Sequence, residues 1–139
     1  PMKLRRLMFK SIIDGLGGKL ECFISGGAPL EDNVAEFFER IGIKVYQGYG
    51  LSETSPVVSV NYDKRNDIAS VGRPLKGFEA RIDKETGELL LRGKSIMKGY
   101  HNQPEMTAEV IDEDGWLHTG DIGSMMEDGT IIFKQRNLC

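Results

Sequence analysis

Residues 19–47 constrain the fold more than any other stretch. An apolar run over 19–25 reads as a buried strand, and Gly26-Gly27-Ala28-Pro29 follows at once. A helix is predicted from about 31 to 41, with acidic residues in its first turn and Val34, Phe37, Phe38 and Ile41 along one face. Gly42 supplies the stop, because a residue without a Cβ enters the left-handed conformation that ends helices at little cost. A second short strand is expected over 43–47. A strand, helix and strand in this order make a βαβ unit, which predicts a parallel sheet layer covered by helices. Ligands of such sheets bind at the carboxyl ends of the strands. Both glycine-rich turns, at Gly26 and Gly48, fall at such ends.

The flanking segments read differently. Leu4, Leu7, Met8, Ile12, Ile13 and Leu16 recur at helical spacing until Gly17-Gly18, with Lys3, Arg5, Arg6 and Lys10 between them. A core-facing helix with a solvated basic face is favoured here over one lying on a membrane. After about Asp67 two alternating runs, 78–83 and 88–92, are joined by Lys84-Glu85-Thr86-Gly87, a hairpin signal. A second pair, 121–127 and 130–133, flanks Asp128-Gly129. Pro104, two residues after Asn102, marks the start of a short helix to Val110. The predicted fold class is therefore α/β: a βαβ part of a parallel sheet layer over 1–66, then an antiparallel, barrel-like β subdomain over 67–139.

A chain of 139 residues has the length of one ordinary domain, which buries about two thirds of its unfolded surface. It opens on Pro1 and stops at Cys139 soon after Ile131, Ile132 and Phe133, so a segment cut from something longer is expected. The formal charge of -3 gives no basic footprint for nucleic acid. Only two cysteines, Cys22 and Cys139, occur, without CxxC spacing, which suits a reducing, cytoplasmic setting. No apolar stretch approaches the roughly 18 residues of a membrane span, and a soluble segment is expected.

Several motif-like stretches lack the residues their chemistry needs. Gly72 to Gly77 has the spacing that opens a phosphate loop, but Phe78 and Glu79 replace its Lys and Ser/Thr. The stretch Asp112-Glu113-Asp114-Gly115 is too short for a calcium loop, and His101 and His118 lack metal-ligand spacing. What remains is "YQGYGLSETSP", over 46–56, where Gly48 and Gly50 flank Tyr49 and two hydroxyls bracket Glu53. Two readings stay open: a nucleotide site, or a tight turn with a buried tyrosine. In the first, the amides of Gly26 and Gly27 and the glycines around Tyr49 let a planar ligand approach the main chain. Tyr49 would stack on a base, Ser52 would donate to a phosphate oxygen, and Glu53 would hold Mg²⁺, a hard ion that favours oxygen. "GWLHTGD" adds Asp121 after a Thr119-Gly120 turn, although a lone Asp after Gly is usually a turn residue.

Four ordered motifs, "SGGAPL" (25–30), "YQGYGLSET" (46–54), "GELLLRGKSIMKGY" (87–100) and "GWLHTGDIG" (115–123), resemble core motifs of the AMP-forming acyl-CoA synthetase superfamily. The likeness is strongest to long-chain fatty-acid-CoA ligases. It implies an enzyme that activates a carboxylate with ATP and Mg²⁺ to acyl-adenylate and pyrophosphate, then transfers the acyl group to coenzyme A. It implies that Gly26, Gly27 and Ala28 border the adenine and acyl pocket, and that Gly48, Tyr49 and Gly50 form the base site with Tyr49 stacked on adenine. Ser52 would contact the α-phosphate, Glu53 would coordinate Mg²⁺, and Asp121 would accept both ribose hydroxyls. Arg136 aligns with a second ribose contact, while Gln135, Leu138 and Cys139 depart from the family's hinge pattern, and Ser52 stands where Thr is commoner.

The resemblance also implies small-molecule partners (fatty acid, ATP and coenzyme A) and no nucleic acid; membrane association of the parent finds no support in the sequence. An amino-acid- or aryl-acid-activating adenylation domain is the alternative, as is a non-catalytic binding module of the same fold. The open floor at Gly48-Tyr49-Gly50 favours a long acyl chain. The family's Ser/Thr/Gly-rich phosphate loop and its lid with the adenylation lysine do not occur within these residues. Because such chemistry depends on positioning and charge stabilisation, the 139-residue chain alone is expected to make no acyl-adenylate. In ATP–pyrophosphate exchange with a panel of fatty acids it should stay at the background of a Glu53→Ala control, and activity above that would overturn the expectation.

Overall fold

The computed structural model describes residues 2–28, 30–62 and 66–136, without the side chains of Met2, Lys3, Arg6, Gln135 and Arg136. Pro29 in the glycine turn and the hinge-like Leu138 and Cys139 lie outside the described residues. The elements run α1 (Met2–Met8), α2 (Lys10–Gly15), β1 (Cys22–Ser25), α3 (Asp32–Ile41), β2 (Lys44–Gly50), a 3₁₀ turn (Ser52–Thr54), β3 (Val57–Val60), β4 (Arg73–Pro74), β5 (Phe78–Ile82), β6 (Glu88–Gly93), α4 (Pro104–Val110), β7 (Leu117–Met125) and β8 (Ile131–Arg136). No helix among the described residues is long and apolar enough to cross a membrane.

The expected βαβ unit is present: β1 and β2 pair in parallel, Cys22 opposite Lys44 through Ser25 opposite Gln47. Gly42, at φ 91°, closes α3 as predicted: its N–H donates to Glu39 O and that of Ile43 to Phe38 O, the paired bonds of a left-handed helix stop. The face that α3 buries differs from the predicted one. Ala35 and Ile41 are buried and Phe38 is half-buried, whereas Val34 and Phe37 are exposed. Packing of Phe38 edge-on against Phe23 of β1, with centroids 4.9 Å apart, accompanies this rotation. The N-terminal helix also differs, splitting at Phe9 into α1 and α2. Of its predicted stripe only Ile13 is buried, in a cluster with Ile41 and Ile43, while Leu4, Leu7, Met8, Ile12 and Leu16 are exposed.

The sheet is only partly parallel. After β2 the chain turns back, so β3 pairs antiparallel with β2 and β4 with β3, giving the order β1-β2-β3-β4. The second sheet is the predicted antiparallel one, in the order β5-β6-β7-β8, a half-barrel with β5 and β8 at its edges. Its first hairpin turns on Asp83, whose Oδ1 accepts the N–H groups of Glu85 and Thr86 and the Thr86 hydroxyl.

The two sheets meet where Val71 N–H donates to Ile131 O and Ile131 N–H to Gly72 O, at 2.9 and 2.8 Å. Val58 of β3 packs there against Leu89, Leu91, Leu117 and Ile131 in one buried cluster. An ion pair bridges the same seam, Arg73 Nη2 to Asp128 Oδ2 at 2.8 Å. The hydroxyl and amide of Thr130 hydrogen-bond Asp128, Arg73 adds its charge, and together they lower its pKa from 3.8 to about 2. A carboxyl depressed on folding contributes stability that is complete above its unfolded pKa and is lost as pH falls through its folded one. Asp128→Asn should therefore unfold at a lower denaturant concentration than wild type near neutral pH, with the gap closing between about pH 4 and pH 2. A gap independent of pH would overturn that assignment.

Candidate functional site

The site forms where β2 leaves the first sheet. Gly50 faces Val57 across an irregularity in the β2–β3 pairing, and a Cβ there would lie 1.8 Å from Pro56 O. At Gly48 it would lie 3.1 Å from Ser59 O, and at Gly26 3.2 Å from Gly48 O. The bareness of these glycines is thus used by neighbouring main chain, a structural role beside the ligand approach expected of them. Gly48 and Gly50 still line a cavity; Gly26 lines neither of the two described below.

Next along the chain, the 3₁₀ turn places Ser52 outward and Glu53 half-buried, and buries Thr54 completely. The Thr54 Oγ1 accepts from Leu51 N–H at 2.9 Å, and its hydrogen is shared between Leu51 O and Pro56 O at 2.8 and 2.6 Å. Thr54 therefore acts as the clasp of the turn, a role the residue pattern gave no reason to single out. Ser55 follows in the left-handed region at φ 63°.

Two cavities flank this turn and share Gly27, Gly50 and Leu51. The first, of about 440 Å³, has β2 residues Gly48, Tyr49 and Gly50 on one side, Ala28 and the 68–71 segment on others, and Asp121 and Phe133 from the second sheet. The Tyr49 hydroxyl donates to Asp121 Oδ2 at 2.6 Å, joining residues 72 apart in sequence. Asp121 is 1% exposed. The Tyr49 ring stacks on Phe133 at 6.2 Å between centroids and 30° between planes. Phe133 was legible in sequence only as a strand residue. Arg136 stands opposite Asp121 in the β7–β8 register, but its side chain lies outside the described residues.

The second cavity, of about 600 Å³, holds Ser52, Glu53, Tyr100 and the 118–120 segment. Tyr100 was not singled out from sequence, although it closes the third quoted motif. Its hydroxyl donates to Glu53 Oε1 at 2.8 Å, and Met97 N–H donates to Glu53 O at 2.7 Å, so the 94–100 loop grips Glu53 by side chain and backbone. The hydrogen bond to Glu53, reinforced by burial and the carboxylate's charge, raises the Tyr100 phenol above its usual pKa.

No group of three or more His, Cys, Asp or Glu among the described residues forms a metal cage. Mg²⁺ seldom uses one; it keeps several waters and binds through one or two carboxylates plus substrate phosphates. A single carboxylate beside a hydroxyl in an open cavity fits that mode.

Residues 3–101 match the AMP-binding enzyme family, and the chain belongs to that family. Fatty acyl-CoA synthetase A of Dictyostelium discoideum is 40% identical over 149 aligned residues, covering 96% of this chain and 22% of that protein. ATP-bound MatB from Rhodopseudomonas palustris superposes with a TM-score of 0.76 at 34% identity, over 83% of this chain and 25% of that one. O-succinylbenzoate coenzyme A synthetase (MenE) from Bacillus subtilis, in complex with ATP and magnesium ion, superposes with a TM-score of 0.74 at 27% identity, over 84% and 26%. The chain thus spans between a fifth and about a quarter of these proteins.

The tightest main-chain approach makes the local prediction. Gly50→Ala must push the Pro56 carbonyl away and should destabilise the chain by about 1–3 kcal/mol or more, as overpacking does. The check is the midpoint of urea unfolding; a wild-type midpoint would mean that the β2–β3 junction yields freely.

Proposed function

We propose that this segment is the nucleotide-holding core of an AMP-forming fatty-acid-CoA ligase. The reaction joins a carboxylate to the α-phosphate of ATP with loss of pyrophosphate, and the thiol of coenzyme A then displaces AMP. The observation that carries the reading is the pair of adjacent cavities: one with a tyrosine hydrogen-bonded to a buried carboxylate, the other with a hydroxyl and a carboxylate on a clasped turn. Base and ribose suit the first, and phosphates with their metal suit the second. ATP and Mg²⁺ are proposed on the same ground, coenzyme A from the acyl-CoA synthetase relative, and a cytoplasmic setting and the absence of a nucleic-acid partner from the cysteine usage and the charge of -3.

In this reading Tyr49 offers a ring to adenine, and Asp121 accepts the two ribose hydroxyls, sharing Oδ2 with the Tyr49 hydroxyl. Ser52 donates to an α-phosphate oxygen, and Glu53, oriented by Tyr100, holds Mg²⁺. The ion, when bound, stabilises charge that develops on the phosphates. Gly27 and Ala28 border the nucleotide, with Gly26 behind them and Arg136 as a second ribose contact. A fatty acid is the proposed substrate because the 40% identical relative is a fatty acyl-CoA synthetase. An aryl acid is the second reading, favoured by the 27% identity to an o-succinylbenzoate synthetase.

Asp121 provides the test, in a parent enzyme carrying this segment. Each hydrogen bond to a charged acceptor is worth about 1.5–3 kcal/mol, so the loss of both in Asp121→Ala should weaken use of ATP by roughly a hundred- to ten-thousandfold. Because misfolding would also weaken it, the comparison is made with 2′,3′-dideoxy-ATP as a double cycle. Wild type should strongly prefer ATP, and the variant should hardly distinguish the two. Equal discrimination by both proteins would return Asp121 to a purely structural role.

A further inference from the structure

Between β6 and β7 the ladder is irregular in one place. Leu90 pairs with His118 and Glu88 with Ile122, so 119–121 stand against Leu89 alone. Such an expansion interrupts the ladder, bends the strand and re-aims its side chains. Here it ends at Asp121, whose carboxylate receives the Tyr49 hydroxyl.

Side chains supply the partners that the ladder cannot. Gly120 N–H donates to Glu88 Oε1 at 2.7 Å, Asp121 N–H to Thr119 Oγ1 at 3.1 Å, and the Thr119 hydroxyl to Leu89 O at 2.7 Å. The second oxygen of Glu88, Oε2, meets His118 Nδ1 at 3.0 Å, and His118 Nε2 lies 3.9 Å from Asp112 Oδ2. One carboxylate, its side chain only 19% exposed, thus spans the expansion from His118 to Gly120. Without it, the Gly120 N–H loses its acceptor in a partly buried place, which costs more than the bond itself contributes. The strand would then be free to shift toward regular pairing, which would set Glu88 opposite Gly120 in place of Ile122 and remove the local bend that aims Asp121.

We propose that Glu88 is a positioning residue: it holds the 119–121 expansion and thereby fixes the direction in which Asp121 meets the sugar of the nucleotide. The proposal rests on the reading of Asp121 as the ribose acceptor. What matters is an oxygen that reaches Gly120. Glutamine retains that reach without the charge; aspartate retains the charge without the reach.

The experiment measures two things in the parent enzyme. Amide hydrogen exchange at Gly120 reports whether the expansion is held, independently of any ligand. The preference for ATP over 2′,3′-dideoxy-ATP, taken as the ratio of kcat/KM values, reports whether Asp121 is aimed. Glu88→Ala and Glu88→Asp should speed Gly120 exchange and lower the preference by roughly tenfold, the scale of one hydrogen-bonded contact. Glu88→Gln should retain most of both, which keeps the test decisive if the alanine variant folds poorly. Full preference in Glu88→Asp, with the preference lost in Asp121→Ala, would overturn the positioning role alone. Loss in Glu88→Gln as great as in Glu88→Asp would likewise overturn it, since charge and not reach would then matter. A preference retained in Asp121→Ala would overturn the ribose reading and this proposal with it.

Discussion

Val58, from the first sheet, packs against Leu89, Leu91, Leu117 and Ile131, from the second, and this apolar contact holds the two sheets together. All five are buried to 2% exposure or less. Full burial of such side chains is worth about 1.5–3 kcal/mol each. The ion pairs of the helices, Lys10 with Asp14 and Arg40 with Glu36, are exposed and i,i+4, and such pairs contribute about 0.3–0.5 kcal/mol. Apolar packing therefore sets how the sheets meet. The guanidinium carbons of Arg81 and Arg92 both lie over the Trp116 ring, 4.2 and 4.6 Å from its centroid.

Because the sheets are fixed against each other, polar groups from both can share a cavity without either being on a free loop. The 67–71 wall shows how this is done. Asn61 Nδ2 donates to Asp67 O and Ser70 O, Ser70 Oγ donates to Asp67 O and lies 3.1 Å from Asn61 Oδ1, and Ser59 Oγ donates to Val71 O at 2.8 Å. Ser59, Asn61 and Ser70 are all buried, and each has partners. A satisfied buried network holds a segment in one arrangement, whereas a half-satisfied one destabilises it. The wall facing Tyr49 is accordingly preorganised, which suits the rigid base and sugar proposed for this cavity.

The same logic separates the two cavities by chemistry. On the Tyr49 side the half-buried phenol and the buried Asp121 carboxylate are already joined, so the proposed nucleotide would exchange hydrogen bonds between fixed groups. On the Ser52 side the groups sit on a turn clasped by Thr54 and gripped by the 94–100 loop, and Ser52 itself is exposed. A solvated, partly charged surface is better matched to phosphates and a hydrated cation than to an apolar ring.

Features that depend on neighbours a few residues apart were legible in the order of the amino acids. The βαβ unit at 19–47, the stop at Gly42, the hairpins at 84–87 and 128–129 and the helix at Pro104 follow from local periodicity and turn chemistry, and the structure has each. The four motifs were legible for the same reason, being contiguous. Tertiary structure alone decided which residues meet. That β3 and β4 turn a parallel pair into a mixed sheet, that α3 buries Ala35 and not Phe37, and that Tyr49 joins Asp121 and Tyr100 joins Glu53 all follow from how two sheets close on one apolar cluster. Such pairings link residues 47 and 72 positions apart, beyond the reach of any helical or strand period, so periodicity carries no record of them.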